Sequence, residues 1–310
     1  MVVSANSATA DPKDTYLLDS TWPSFPEGVS LGQATGVAVD SHNHVFIFHR
    51  ANREWVEPFP DKEIQQDTIY MLNGSTGELS NSWGSDLFIM PHGLSVDADD
   101  NVWVTDVGSQ QIHKFSHEGK LLKSIGEAGV QGADENHFAL PSDLSISNDG
   151  SIFVSDGYVN TRIIKFTSSG VFEMQWGSPG TKAGEFDLPH GIATDREYIY
   201  VADRANSRIQ VFRHTGVFVA EWKGENIGRP YGVATYKKGN LFIIDGGDQP
   251  DKTRSRVIIL NAAGEVLGGF TAEQDSDQKN LGHDIAVGDD GAVYVVDAWA
   301  RTVRKYIRKE

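Results

Sequence analysis

Three histidines sit at matching places in a repeated phrase: Met90-Pro91-His92-Gly93-Leu94-Ser95-Val96, Leu188-Pro189-His190-Gly191-Ile192-Ala193-Thr194 and Leu281-Gly282-His283-Asp284-Ile285-Ala286-Val287. Three further copies carry Thr35, Ser142 and Tyr231 instead, so histidine falls at every second of six repeats. Three neutral imidazoles on one centre, with a position left for water or substrate, form a catalytic zinc pattern. Any one of them alone reads as a structural histidine bonded to nearby backbone; the alternation favours a shared metal. The chain has no cysteine, which removes disulfides, thiolate metal sites and Cys nucleophiles, and leaves a metal to His and carboxylate.

A second set lies further along each repeat, where a β-branched and aromatic segment ends. The ends read His49-Arg50, Asp106-Val107, Asp156-Gly157-Tyr158, Asp203-Arg204, Asp245-Gly246 and Asp297-Ala298-Trp299. The recurrent Asp looks like a strand-end Asx turn and needs no functional reading. Arg50, Tyr158 and Arg204 are the departures. A lone arginine there is commonly solvated, but two arginines and a tyrosine beside three histidines suit a carboxylate substrate, which fits the bidentate guanidinium fork.

The elements that must position these residues are short strands. From His92 the sequence runs Gly93–Val96, a turn at Asp97-Ala98-Asp99-Asp100-Asn101, Val102–Asp106, a polar loop, Gln111–Phe115, a Gly turn and Lys120–Ile125. That is a four-stranded all-β unit. The layout returns from Ser142, His190, Tyr231 and His283, and nothing reads as a sustained helix. The expected fold is an all-β, six-bladed β-propeller. Equivalent positions of six blades form a ring, and every second member forms a triangle, so His92, His190 and His283 face one another. Because the first two strands of a blade are antiparallel, Arg50, Tyr158 and Arg204 share that rim.

After His283 only three strands remain, the last at Thr302–Ile307, while Thr15–Ser20 resembles a fourth strand. The first segment is therefore expected to complete the last blade and remove an open edge. Residues 15–310 then form one domain, with residues 1–14 a disordered tail. The Ala51–Asp67 insertion of the first blade, rich in charge, Pro and aromatics, is a natural substrate wall.

Composition bounds the partners. With Lys+Arg 27 against Asp+Glu 43, the net charge of −16 argues against nucleic acid and anionic membranes. No apolar run approaches the roughly 20 residues of a membrane span. The opening residues lack a basic start and an apolar core, so they do not read as a signal peptide. A monomer is expected. Among weaker signals, Gly28-Val29-Ser30-Leu31-Gly32 lacks the strand-turn-helix setting of a hydrolase elbow. His42 and His44 sit in a hairpin turn and are expected to be solvated. His137, beside Phe138 and Pro141, is expected to pack. The Asp/Gly turns near Asp99, Asp149 and Asp289 read as hairpins rather than EF-hand loops.

The run Gly184-Glu185-Phe186-Asp187-Leu188-Pro189-His190-Gly191-Ile192-Ala193 resembles an NHL-repeat propeller. With Gly36-Val37-Ala38-Val39-Asp40, Ile47-Phe48-His49-Arg50, Trp103-Val104-Thr105-Asp106-Val107, Val154-Ser155-Asp156-Gly157-Tyr158 and Val201-Ala202-Asp203-Arg204, residues 15–307 resemble the catalytic core of peptidyl-α-hydroxyglycine α-amidating lyase. The resemblance implies cleavage of a peptide ending in α-hydroxyglycine to an amide and glyoxylate. It implies zinc on His92, His190 and His283, and catalytic roles for Tyr158, Arg50 and Arg204. It also implies a structural calcium on the Asp284 side chain and the carbonyls of Val37 and Leu94, and a secreted or periplasmic setting. The substrate would be a peptide or small molecule with a carboxylate next to a carbinolamide. Animal members carry disulfides beside the Tyr and Arg; Val159 and Ala205 stand there, so that rim is expected to rely on packing. Leu281-Gly282 replaces the family's Met-Pro, which touches peptide preference. Two other readings remain open: a metal-dependent hydrolase such as a lactonase, and a non-catalytic NHL-type scaffold.

Overall fold

Alternating β-branched and aromatic residues dictate a pleated, half-buried backbone, and the computed structural model is built from such strands. It describes residues 16–224, 226–249, 254–272 and 280–309. Six four-stranded antiparallel sheets follow one another round a ring. The expected strands of the second unit appear as Pro91–Val96, Val102–Asp106, Gln111–Phe115 and Leu121–Ile125. Among the described residues the single helical element is the 3-10 turn Lys237–Gly239.

Ring closure follows the expectation. Tyr16–Leu18 pairs antiparallel with Thr302–Arg308, with Leu17 opposite Ile307, and so becomes the outer strand of the sixth blade. The tail expected over 1–14 lies outside the described residues.

Burial explains the strand compositions. The second strands Val102–Asp106, Ile152–Asp156 and Val293–Asp297 are buried along their whole length, because neighbouring blades cover both faces. The outer strand Phe172–Trp176 alternates half-buried and exposed residues, as a sheet edge with one wet face does. Apolar side chains gather between blades. Phe46, Phe48, Phe88 and Trp83 meet Leu94 and Val104 between the first and second. Phe153 and Ile163 meet Phe186, Ile192 and Phe212 between the third and fourth. The ring is therefore stiff enough to hold side chains at its axis in fixed positions.

The inner strands do not pair smoothly. Pro91 faces Asp106 and Leu94 faces Val104, so His92 and Gly93 together oppose Thr105 alone. The same irregularity recurs between Pro189 and Ile192 and between Gly282 and Asp284. It recurs at Thr35, between Ala34 and Gly36, and at Tyr231, between Pro230 and Gly232. A β-bulge bends its strand and re-aims one side chain; here the re-aimed residue is the leading position in five of the six blades, the third excepted. The bulge also explains why the second blade's inner strand begins at Pro91 and not at Gly93.

Candidate metal centre and active site

Each axial histidine is fixed from the next blade. His92 Nδ1 lies 2.5 Å from the Ser142 carbonyl, His190 Nδ1 2.8 Å from that of Tyr231, and His283 Nδ1 2.8 Å from that of Thr35. A carbonyl can only accept, so all three rings carry their proton on Nδ1 and keep a bare lone pair on Nε2. The even blades thus supply imidazoles, and the odd blades supply the carbonyls that orient them. Ring centroids lie 4.9, 4.7 and 4.9 Å apart, and one nitrogen from each ring falls within 4.8 Å of the other two. Burial pushes the His283 imidazole down to about 3, and lowers His92 and His190 well below the usual histidine range. The donor set is neutral, convergent and orientationally fixed, which suits zinc.

Tyr158 hangs over this triangle. Its hydroxyl is 2.9 Å from His92 Nε2 and 3.3 Å from His190 Nε2. Burial raises its pKa above 10, and the nearby Arg204 and Arg50 pull it back only partly. Two arginines alone therefore leave a protonated phenol; a phenolate needs a cation's charge as well.

The arginines are held differently. Arg50 is buried, donates from Nε to the Pro91 carbonyl at 3.0 Å and from a terminal nitrogen to Gln33 Oε1 at 2.8 Å. Burial lowers its pKa to about 10, so it stays charged at neutral pH. Arg204 lies with its guanidinium 4.4 Å from the Tyr231 ring centroid and 5.9 Å from that of Tyr158. Its Nε is buried and has no hydrogen-bond partner. A buried donor without an acceptor is costly, and a substrate carboxylate would relieve it.

Sequence reasoning missed several residues here. Trp55, inside the expected substrate wall, stacks 5.2 Å from Tyr158 and lies 4.9 Å from the Arg50 guanidinium. Gln33 accepts from both the Trp55 backbone N–H and Arg50. Only tertiary contact gives these two a role, although an aromatic in an inserted loop was a usable signal. The strand-end Asp residues also do more than close turns. Asp106 accepts from the N–H groups of Ile89 and Met90, and Asp203 from that of Asp187, so each clamps the chain entering its own blade. His49 takes this position in the first blade, where Nδ1 accepts from Gly32 and Ala51. Burial lowers its pKa to about 3, which keeps it a neutral acceptor.

The rim beside Tyr158 and Arg204 is not held by packing alone. Val159 is exposed, while Asn160 Nδ2 reaches the Gly132 carbonyl at 2.7 Å and Asp156 at 2.6 Å. Asn206 makes the matching pair to Gly180 and Asp203, both at 2.9 Å. His137 likewise differs from expectation: it pairs with Asp134 and Glu127 at the surface, and Phe138 does the packing.

Below the histidines the channel holds two carboxylates. Asp284 accepts from the Val37 N–H at 2.9 Å, and Asp143 from the Ile192 N–H at 2.9 Å. Both line one small cavity with the three histidines. Leu94 packs on Gly36, where an added Cβ would lie 2.7 Å from Leu94 Cβ. Burial raises Asp284 to about 7, and burial together with the Asp284 charge raises Asp143 well above the carboxylate range. Two buried carboxylates facing each other are what a cation would stabilise. The expected calcium set contained Asp284, Val37 and Leu94 but not Asp143.

Comparison with known proteins follows this geometry. The NHL repeat family matches residues 88–115 and 186–212. A human NHL repeat-containing protein 3 is 30% identical, over 95% of this chain and 85% of that protein. The chain belongs to the NHL-repeat family. A peptidyl-α-hydroxyglycine α-amidating lyase 2 of Drosophila melanogaster is 34% identical over 75% of this chain and 61% of its own length. A peptidyl-glycine α-amidating monooxygenase B of Xenopus laevis is 36% identical over 95% of this chain but 36% of its own length. The resemblance drawn from the motifs therefore holds, and the chain spans about a third of the monooxygenase relatives. A solved gluconolactonase of Xanthomonas campestris superposes with a TM-score of 0.64 at 12% identity, covering 98% of this chain and 99% of that one, which is likeness of fold.

Proposed function

We propose that this NHL-family propeller is a zinc-dependent lyase that cleaves peptidyl-α-hydroxyglycine, or a related carbinolamide, to an amide and glyoxylate. The observation that carries the reading is the Tyr158 hydroxyl, set over the three convergent imidazoles and between two guanidinium groups. Relatives named for this lyase activity support it. Zinc, when held by His92, His190 and His283, supplies a Lewis acid that acidifies a hydroxyl.

The residues divide the remaining work. Arg204 offers its unpartnered Nε to the substrate carboxylate. Arg50, locked by Gln33 and Pro91, supplies fixed positive charge beside the phenol. Tyr158 takes the proton of the substrate hydroxyl. The oxygen's electrons form the aldehyde C=O as the C–N bond breaks, and the departing amide nitrogen receives the proton that Tyr158 took, which restores the tyrosine to its starting form. Trp55 covers the phenol and keeps water away. Beneath, a structural calcium held by Asp284 and the carbonyls of Val37 and Leu94, with Asp143 opposite, would neutralise the buried carboxylates.

Glyoxylate release from an N-acylated α-hydroxyglycine tests the reading. Zinc-dependent release that disappears in Tyr158→Phe supports it; release unchanged in that variant removes the phenol from the mechanism. Zinc bound with no glyoxylate formed would turn the assignment to hydrolysis on the same fold.

A further inference from the structure

A second histidine cluster lies at the opposite rim. Asp40 follows the inner strand Ala34–Val39 of the first blade, about 17 Å along the chain from the leading position Thr35 at a strand rise of about 3.4 Å per residue. His42 lies in the next turn, His44 opens the following strand His44–His49, and His117 comes from the third-to-fourth strand turn of the second blade. The sequence placed His42 and His44 in solvent. His42 is exposed, but His44 and His117 are mostly covered, with about a quarter of each side chain accessible (26% and 24%).

We propose that Asp40, His44 and His117 form a second divalent-metal site, with His42 in reach as a further ligand. The three donor atoms make a closed triangle. Asp40 Oδ2 is 2.9 Å from His44 Nδ1 and 2.8 Å from His117 Nε2, and the two nitrogens are 3.2 Å apart. Ligand atoms bound at about 2.0–2.2 Å with angles between octahedral and tetrahedral lie about 2.8–3.6 Å from one another. The triangle has the size of one face of a coordination shell.

Hydrogen bonds alone account for it poorly. If both rings donate to Asp40 Oδ2, two N–H groups crowd each other at 3.2 Å with no lone pair between them. If one ring instead turns its lone pair inward, it faces the carboxylate's negative oxygen. A cation that accepts all three lone pairs removes both conflicts. The carboxylate is already prepared for this. Asp40 Oδ1 is occupied by the His42 N–H at 2.9 Å and the His44 N–H at 2.7 Å, its side chain is fully buried, and Oδ2 is left to the cluster. His42 stands 6.1 Å from the His44 ring and 5.9 Å from that of His117, tied to Asp100 at 3.1 Å. One of its nitrogens falls within 4.8 Å of the Asp40 and His117 donors.

Imidazole with carboxylate selects zinc or copper(II) over calcium or magnesium. Because His44 and Asp40 belong to one blade and His117 to the next, the ion clips two blades together away from the reaction. Loading the whole protein with zinc by equilibrium dialysis and counting bound zinc tests this. The His44→Ala/His117→Ala double variant is expected to hold about one ion fewer per chain than wild type. His190→Ala is expected to lose a different ion, from the axis. Equal zinc in wild type and the double variant overturns the proposal. A copper(II) titration of His117→Gln, read by electron paramagnetic resonance, guards against misfolding of the double variant. Imidazole-nitrogen hyperfine from the far site must weaken in that variant; an unchanged spectrum also overturns it. Neither readout depends on turnover, so failure here is separate from failure of the lyase reading.

Discussion

At the axis, His92, His190 and His283 each give Nδ1–H to a backbone carbonyl of the next blade, whereas at the far rim His44 and His117 turn toward a single carboxylate oxygen of Asp40. The axial rings are buried and backed by Arg50, Arg204 and Tyr158. The far cluster is open to solvent on the His42 side. The difference teaches that positions repeated in every blade set up a ligand triangle through main-chain geometry alone. A site built from hairpin turns needs a buried side chain to gather its ligands. Chemistry that depends on positioning within a fraction of an ångström belongs with the first kind.

The largest expected effect lies at the axis. His190→Ala should release axial zinc and take glyoxylate formation below detection, while the far-rim ion stays; metal counting and turnover on one sample check both. If the far-rim ion left as well, the two centres would not be independent. Next comes Tyr158→Phe, which removes one oxygen and no ligand. Turnover should fall by about 10²–10⁴, as loss of general acid–base catalysis does, with zinc content unchanged. Arg204→Gln removes the buried, unpartnered guanidinium Nε proposed to hold the substrate carboxylate, so KM should rise by about tenfold to a hundredfold, the worth of a charged hydrogen bond. A fall confined to kcat would move Arg204 from holding the carboxylate to stabilising the transition state.

The smallest effect concerns His49, a histidine in a third setting: buried, neutral and without ligand duties. Its folded pKa of about 3 lies below the free value of 6.5, so the unfolded chain binds the extra proton. His49 therefore favours folding fully above pH 6.5 and loses that contribution as the pH falls toward 3. The slope reaches up to about 1.4 kcal/mol per pH unit. His49→Asn keeps an acceptor and does not titrate, and should flatten the fall in urea midpoint between pH 6.5 and 4 relative to wild type. A parallel profile would mean that another group carries the acid sensitivity.

The repeat phrase, with histidine at every second copy, determined the propeller, the closing first strand and the triangle of His92, His190 and His283. It could do so because equivalent positions in a closed ring have fixed spatial relations whatever their separation in sequence. Strand-end alignment likewise placed Arg50, Tyr158 and Arg204 on the histidine rim, since antiparallel pairing fixes which ends meet. Tertiary structure alone decided the rest. Asp143 faces Asp284 across the channel, Gln33 locks Arg50, and Trp55 folds over Tyr158, through contacts that no repeat spacing encodes. His117 meets His44 and Asp40 because two different turns of neighbouring blades converge, and turns carry no shared register. Burial raises the Tyr158 pKa even though two arginines stand beside it. Residue types predicted the attraction, but the desolvation that outweighs it exists only once the blades have closed around the ring.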